Sequence, residues 1–133
     1  GEIMMEDYNN TLHFEMLTML EMAKQEILPA CLKYTKFVTD DIASKKALGL
    51  DAPKELEKAQ RLTELTEDLM IKIDTLDAAT DVPDVDVYAV GMYYKDTVLP
   101  AMDALGETAD TLETIVAKEY WPFPTYTDLL YLV

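Results

Sequence analysis

The sequence predicts an all-α fold: an up-down-up antiparallel bundle of three long helices, two of them kinked at proline, with an extended aromatic strap at the carboxyl terminus. Four Gly and six Pro in 133 residues are concentrated at a few breaks. Between these breaks, over about residues 2–48, 54–80 and 84–118, apolar residues recur every three or four positions, as in amphipathic helices. Residues 119–133, the predicted strap, contain two prolines, which rules out a regular helix there. We therefore expect one helical domain over residues 1–133.

The first predicted helix has the widest apolar face. Its main stripe consists of Leu12, Met16, Met19, Ala23, Ile27, Ala30, Tyr34 and Val38. Phe14, Leu17, Leu28 and Leu32 widen this face, so the helix should pack against more than one neighbour. If the first and third helices end level, roughly the first 13 residues extend past the third helix, at about 1.5 Å per residue. That end carries Ile3, Met4, Met5, Tyr8 and Leu12 and should need a partner.

The second and third predicted helices have narrower apolar stripes. Gly49 and Pro53 mark the turn before the second helix, and Pro83 marks the turn before the third. The second stripe consists of Leu62, Leu65, Leu69, Ile73, Leu76 and Thr80, and the third of Tyr94, Val98, Ala101, Leu105, Ala109, Leu112 and Val116. Three such stripes joined by short turns favour the bundle.

Two prolines interrupt these helices in matching contexts. Pro29 lies in Ile27-Leu28-Pro29-Ala30, and Pro100 lies in Val98-Leu99-Pro100-Ala101. Each removes a backbone donor and crowds the carbonyl four residues earlier, so we expect a kink at each proline. Measured from the predicted helix ends, the two kinks should lie level. The alternative is that one proline simply starts a new helix.

The composition excludes several classes of function. With 11 Lys plus Arg against 26 Asp plus Glu, the net charge is −15, which disfavours binding to nucleic acid or to anionic membrane surfaces. The single cysteine, Cys31, predicts a reducing compartment and a buried thiol, and we expect a cytoplasmic protein. Gly1 is typical of a tag scar, so we expect an excised fragment.

The residues needed for common catalytic and metal sites are not found in the required patterns. His13 is the only histidine and Cys31 the only cysteine, and no phosphate-binding glycine motif is present. Asp81, Asp84 and Asp86 lack the glycine and the closing glutamate of a calcium loop, so we interpret residues 84–86 as a helix cap. We predict no catalytic, cofactor-binding or metal-binding residue in this chain.

The carboxyl-terminal stretch differs in kind from the rest. Residues 120–133 read YWPFPTYTDLLYLV and hold the only Trp with a single charged residue, Asp128. Such a segment should pack against the helices with Trp121 and Phe123 buried. The residues that we expect to have structural or interface roles are Pro29, Pro100, Trp121, Pro122, Phe123, Pro124, Tyr126, Leu129 and Leu130.

Several motifs resemble the carboxyl-terminal end of type III glutamine synthetases. They are Tyr93-Tyr94-Lys95-Asp96, Val98-Leu99-Pro100-Ala101-Met102, Leu112-Glu113 and the block Trp121-Pro122-Phe123-Pro124-Thr125-Tyr126, closed by Asp128-Leu129-Leu130. In the amino-terminal half, Met19, Ala23-Lys24, Glu26-Ile27-Leu28-Pro29-Ala30 and Tyr34 are similar to the preceding helix of that family. The sequence departs from the family pattern at Gly106, where a basic residue is expected.

The resemblance implies a role within a ligase of glutamine biosynthesis and nitrogen metabolism. That family joins ammonia to glutamate with ATP and divalent metals, as large ring-shaped oligomers, and its catalytic sites lie upstream of this region. The implied role here is non-catalytic and structural, with the catalytic domain of the parent chain and other subunits as partners in a homo-oligomer. The alternative is a stand-alone acidic helical bundle that recruits a basic or amphipathic partner through its Met-rich first helix.

Overall fold

The computed structural model describes residues 1–124, and all regular secondary structure in that range is helical. The first helix covers residues 2–47 as Glu2–Met22, a π-helical segment Ala23–Ile27 and Leu28–Ala47. The second helix is Pro53–Ala79. The third covers residues 87–115 as Val87–Tyr93, a π-helical segment Tyr94–Val98 and Leu99–Ile115. The all-helical prediction is confirmed for residues 1–124.

Local sequence accounts for the helix boundaries. Gly49 has φ = +74°, a left-handed conformation that favours glycine and ends the first helix. Pro53 is the first residue of the second helix, where its missing N–H costs no hydrogen bond. The Asp86 carboxylate accepts hydrogen bonds from the Tyr88 and Ala89 N–H groups at 3.0 Å each. Helix capping within residues 84–86 is therefore confirmed, but the cap is Asp86 and not Asp84 or Asp81, which we also considered as candidates.

Each predicted kink site contains a π-helical segment that ends two residues before the proline. The Leu28 N–H donates to the Ala23 carbonyl, and the Leu99 N–H donates to the Tyr94 carbonyl, five residues earlier in each case. A widened turn of this kind relieves the clash between a proline ring and the preceding turn. Both prolines are then the second residue of the following α-helical segment.

The two proline sites do not lie level. The His13 Nδ1 atom lies 2.9 Å from the Tyr94 hydroxyl oxygen, and Tyr94 begins the second π-helical segment. The first π-helical segment begins ten residues after His13, at Ala23, which corresponds to about 15 Å along the helix. The prediction of level kinks is therefore wrong, because it assumed that the first and third helices end together.

The amino-terminal end of the first helix is more covered than the sequence predicts. The Asn9 side-chain amide donates to the Val87 carbonyl at 3.1 Å, and a Cβ at Gly91 would lie 2.9 Å from Met5 Sδ. The third helix therefore starts beside residues 5–9. Leu12 is buried, although Ile3 and Met4 remain exposed.

The predicted stripes form the hydrophobic core. Leu62, Leu69, Leu76, Leu105 and Leu112 are almost completely buried, and Met16, Cys31 and Val98 join them in one cluster. Phe14, Leu17 and Leu32, which the sequence predicts to widen the packed face of the first helix, are exposed. Within residues 1–124, none of the helices combines the length and the apolar character that crossing a bilayer requires.

We expect Cys31 to react slowly with thiol reagents in the folded protein. Its side chain is buried, and burial raises the pKa of the Cys31 thiol to about 11. At pH 8 the thiolate fraction is then roughly 100-fold lower than for an ordinary cysteine. The rate of modification by a disulfide reagent should rise by at least that factor in denaturant. Equal rates in native buffer and in denaturant would contradict this.

A polar cluster joins the second and third helices next to the core. Lys72 Nζ lies 2.8 Å from the Asp68 carboxylate and 2.6 Å from the Thr108 hydroxyl, which donates to Asp68 at 2.9 Å. Thr108 itself is buried. The hydrogen bonds from Lys72 and then from Thr108 hold the pKa of Asp68 below its usual value.

The cluster should make stability depend on pH at the acidic end. Because the pKa of Asp68 is lower in the folded than in the unfolded chain, its contribution is present above about pH 4 and is lost as the pH falls through the folded pKa. We expect Asp68→Asn to lower the urea midpoint at pH 7 and to lower it less at pH 2. The matched control is Asp74→Asn, an exposed carboxylate on the same helix. An equal effect of Asp68→Asn at both pH values would contradict the prediction.

Candidate functional site

A groove runs between the first and third helices and has a volume of about 410 Å³. Its walls are mainly apolar, and its first-helix side includes both core residues and residues just outside the core stripe. The apolar lining consists of Phe14, Met19, Met22, Ala23, Ile27, Leu105, Ala109, Trp121 and Phe123. With the first helix (residues 2–47) labelled α1 and the third helix (residues 87–115) labelled α3, we call this surface the α1–α3 groove.

The groove remains open because Gly106 has no side chain. Gly106 lines the groove on the third helix, and a Cβ there would have Met19 Cε at 3.5 Å as its nearest neighbour. That distance is ordinary van der Waals contact, so no clash requires glycine here. On the opposite wall, Phe14 is 72% exposed. The result is a shallow apolar surface between two helices.

Aromatic residues after the third helix close one end of the α1–α3 groove. The Trp121 backbone N–H donates to the Ala117 and Lys118 carbonyls, both at 3.2 Å, which turns the chain after Ile115. Trp121 is only 9% exposed, and Phe123 lines the groove beside it. The indole N–H of Trp121 has no hydrogen-bond acceptor among residues 1–124.

Tyr120, in the same turn, packs against aromatic side chains of the first helix. Its ring lies 5.3 Å from the Tyr34 ring and 5.9 Å from the Phe37 ring, between centroids. Lys58 of the second helix places its ammonium 5.2 Å from the Tyr34 ring centroid, a cation–π distance. This aromatic group holds the chain after the third helix against the first.

The rim of the α1–α3 groove is acidic. Glu15, Asp110 and Glu113 line it, and no Lys, Arg or His is found among its described lining residues. A second groove, near the amino terminus, has a volume of about 540 Å³ and is lined by Met4, Met5, Tyr8, Tyr88, Gly91, Met92 and Lys95, together with Gly1. The two grooves therefore differ in charge, since the described lining of the second includes a cation and no carboxylate.

The residues that we predicted to have structural or interface roles lie in several different parts of the structure. Pro29 is half-buried in the first helix and Pro100 is exposed on the third. Trp121 and Phe123 line the α1–α3 groove, whereas Pro122 and Pro124 are exposed beside it. The remaining three, Tyr126, Leu129 and Leu130, lie outside the described residues.

Gly106 and the acidic rim were not predicted from the sequence as parts of a groove. One available signal was Phe14, a large apolar residue two positions before the Met16 of the core stripe. The packing partner of such a residue depends on the register between two helices that are far apart in the sequence. A local sequence pattern carries no information about that register.

The described residues do not fit a divalent metal site. In residues 1–124, no three His, Cys, Asp or Glu side chains are arranged so that they could hold an ion. We derive no catalytic step from these residues.

Comparison with known proteins agrees with the motifs. The family model described as the glutamine synthetase C-terminal domain matches residues 1–46. A glutamine synthetase from Butyrivibrio fibrisolvens is 31% identical over an alignment 143 residues long, which covers 98% of this chain and 19% of that protein. A type-3 glutamine synthetase from Dictyostelium discoideum is 24% identical over 145 residues, with the same shares covered.

The chain spans about a fifth of the length of these curated relatives. No solved structure gives a significant match. The resemblance noted in the motifs is confirmed: the chain matches the glutamine synthetase C-terminal domain over residues 1–46 and glutamine synthetases, a type-3 enzyme among them, over 98% of its length.

Proposed function

We propose that this chain is the non-catalytic C-terminal domain of a type III glutamine synthetase and serves subunit assembly. The observation that carries the proposal is the 31% identity to a glutamine synthetase over 98% of this chain, against 19% of that enzyme. The parent enzyme would ligate ammonia to glutamate with ATP and a divalent metal bound elsewhere, in the cytoplasm. Partners of the domain would be the catalytic domain of its own chain and neighbouring subunits.

Exposed apolar surface supports a role in contacts. Phe14, Phe37, Leu48 and Met4 are all more than half exposed. Met4, Phe14 and Phe37 lie on the first helix and Leu48 directly follows it, and apolar side chains left exposed in this chain are available for contacts with other subunits. A domain that holds subunits together requires exposed surface of this kind.

We also propose that the three helices run up, down and up, with kinks at Pro29 and Pro100. Lys24 pairs with Asp77 at 2.9 Å and Lys45 pairs with Glu55, as expected for antiparallel first and second helices. The Tyr93 hydroxyl donates to the Ala79 carbonyl, and Thr108 bonds to Asp68, as expected for antiparallel second and third helices. Burial of Trp121 supports the strap over residues 119–124.

The non-catalytic part of the proposal is tested with the 133-residue chain alone. The chain is incubated with ATP, glutamate, ammonia and magnesium, and glutamine and phosphate are measured. We expect no turnover above a protein-free control, while the parent enzyme is active under the same conditions. Turnover by purified chain would overturn the proposal.

The assembly part is tested in the full-length parent enzyme. Residues 120–133 are deleted, and the mass of the oligomer is measured by light scattering after size-exclusion chromatography. We expect smaller assemblies, because the deletion removes Trp121 and exposes the end of the α1–α3 groove. The matched control is Pro122→Ala, an exposed change that keeps the segment. An unchanged oligomer after the deletion would contradict a role of this segment in assembly.

A further inference from the structure

We propose that the α1–α3 groove binds a basic amphipathic helix from a partner chain. The expected partner segment has apolar residues at i, i+3 or i+4, and i+7, flanked by Lys or Arg. This inference goes beyond the assembly role and does not depend on it, because it rests only on the shape and charge of this groove.

The geometry of the groove suits a short helix. On the first helix the lining extends from Phe14 to Ile27, which is about 20 Å of helix or nearly four turns. Because Gly106 has no side chain, the third helix leaves space for a partner at this position. On the first helix, Met19 and Met22 have flexible side chains that can adapt to the partner surface. Laying an apolar helix face in such a groove is a recurring mode of peptide recognition.

Charge decides between the possible occupants. The rim carries Glu15, Asp110 and Glu113 and no cation among its described residues. A second copy of this chain has a net charge of −15, so the overall repulsion between two copies disfavours its approach to this acidic rim. The sequence of residues 125–133 contains one acidic side chain and no basic residue, so it does not complement the rim either. A cationic partner does, and the opposite charges would also speed its association.

Trp121 supplies a donor and a reporter at the closed end of the groove. Its indole N–H lacks an acceptor within residues 1–124, and a buried donor without a partner is costly. A side-chain or terminal acceptor on the bound helix would satisfy it. Because Trp121 is the only Trp of the chain, its fluorescence reports occupancy of this groove specifically.

The test uses the 133-residue chain and two synthetic 15-residue peptides without Trp. One peptide carries Leu on one helical face and Lys at the flanking positions, and the other has Glu in place of every Lys. We expect the Lys peptide to change the emission of Trp121 saturably, with an affinity at least tenfold higher than that of the Glu peptide. Equal affinity for the two peptides would overturn the charge argument.

Two sets of variants locate the site. Gly106→Leu should reduce affinity for the Lys peptide at least tenfold by filling the groove, and it should fold because the nearest contact of a Cβ there is 3.5 Å away. The matched control Ala43→Leu introduces the same side chain at an exposed position of the first helix. The triple variant Glu15→Gln, Asp110→Asn, Glu113→Gln should also bind at least tenfold more weakly, unlike Glu57→Gln, Glu64→Gln, Glu67→Gln on the second helix. Circular dichroism checks the fold of each variant.

Two results would overturn the inference. The first is an affinity of Gly106→Leu within twofold of the original chain. The second is a chain ending at Pro124 that binds the Lys peptide tenfold more tightly, since residues 125–133 would then compete for the groove in place of a partner.

Discussion

Replacing Leu69 with alanine should lower the free energy of unfolding by about 2–5 kcal/mol, the usual range for a buried Leu→Ala change. Leu69 is 0% exposed and belongs to the central cluster. Its removal therefore loses both the burial of the isobutyl group and the contacts of the surrounding side chains. Leu69 lies on the second helix, which contacts both other helices, so the substitution weakens the packing at the centre of the bundle.

The measurement is urea unfolding followed by circular dichroism, and the matched control is Leu56→Ala on the same helix. Leu56 is 49% exposed, so the same chemical change should cost clearly less, on the order of 1 kcal/mol. Both variants remain helical, because alanine has a high helix propensity. Equal losses for the two variants would contradict the core position of Leu69.

The second large effect is expected for Trp121→Ala, with a loss of stability of about 3 kcal/mol. Trp121 is buried beside Phe123 at the end of the α1–α3 groove, so truncation opens that end to water. The loss is reduced because the indole N–H has no acceptor among residues 1–124, and removing an unsatisfied donor recovers part of the cost.

Two companion variants separate these contributions. Trp121→Phe removes the donor and keeps most of the apolar ring, so its stability should lie within about 1 kcal/mol of the original chain. Pro122→Ala changes an exposed neighbour and should have little effect. Thermal unfolding of the three variants gives the comparison. A loss for Trp121→Phe as large as for Trp121→Ala would contradict the view that apolar burial dominates at this position.

Much of the fold could be predicted from local patterns. The stripe Leu62, Leu65, Leu69, Ile73, Leu76 and Thr80 was predicted as a core face. The first five of these residues are buried, and Thr80 is half-buried. The helix cap in residues 84–86 and the disturbance at each Pro also follow from local chemistry, because caps and proline effects involve neighbours within one turn.

The candidate site was only partly predictable. The burial of Trp121 follows from its apolar sequence context, and its aromatic neighbours in the sequence indicated packing against the helices. The partners of Trp121, the open position at Gly106 and the acidic rim depend on which turns of the first and third helices face each other. That register is formed by residues about 80 positions apart, such as His13 and Tyr94.

Local patterns account for the helical class, the core stripes, the ends of the first two helices and the family resemblance, because each depends on a repeat of three to four residues or on a short motif. The third helix is shorter than the predicted 84–118, at 87–115. How far it is displaced along the first helix, and with that the position of the two π-helical segments and of the α1–α3 groove, follows from tertiary packing alone. The physical reason is that helix formation is set by near neighbours, whereas the register of two helices is set by side-chain packing summed over their whole contact.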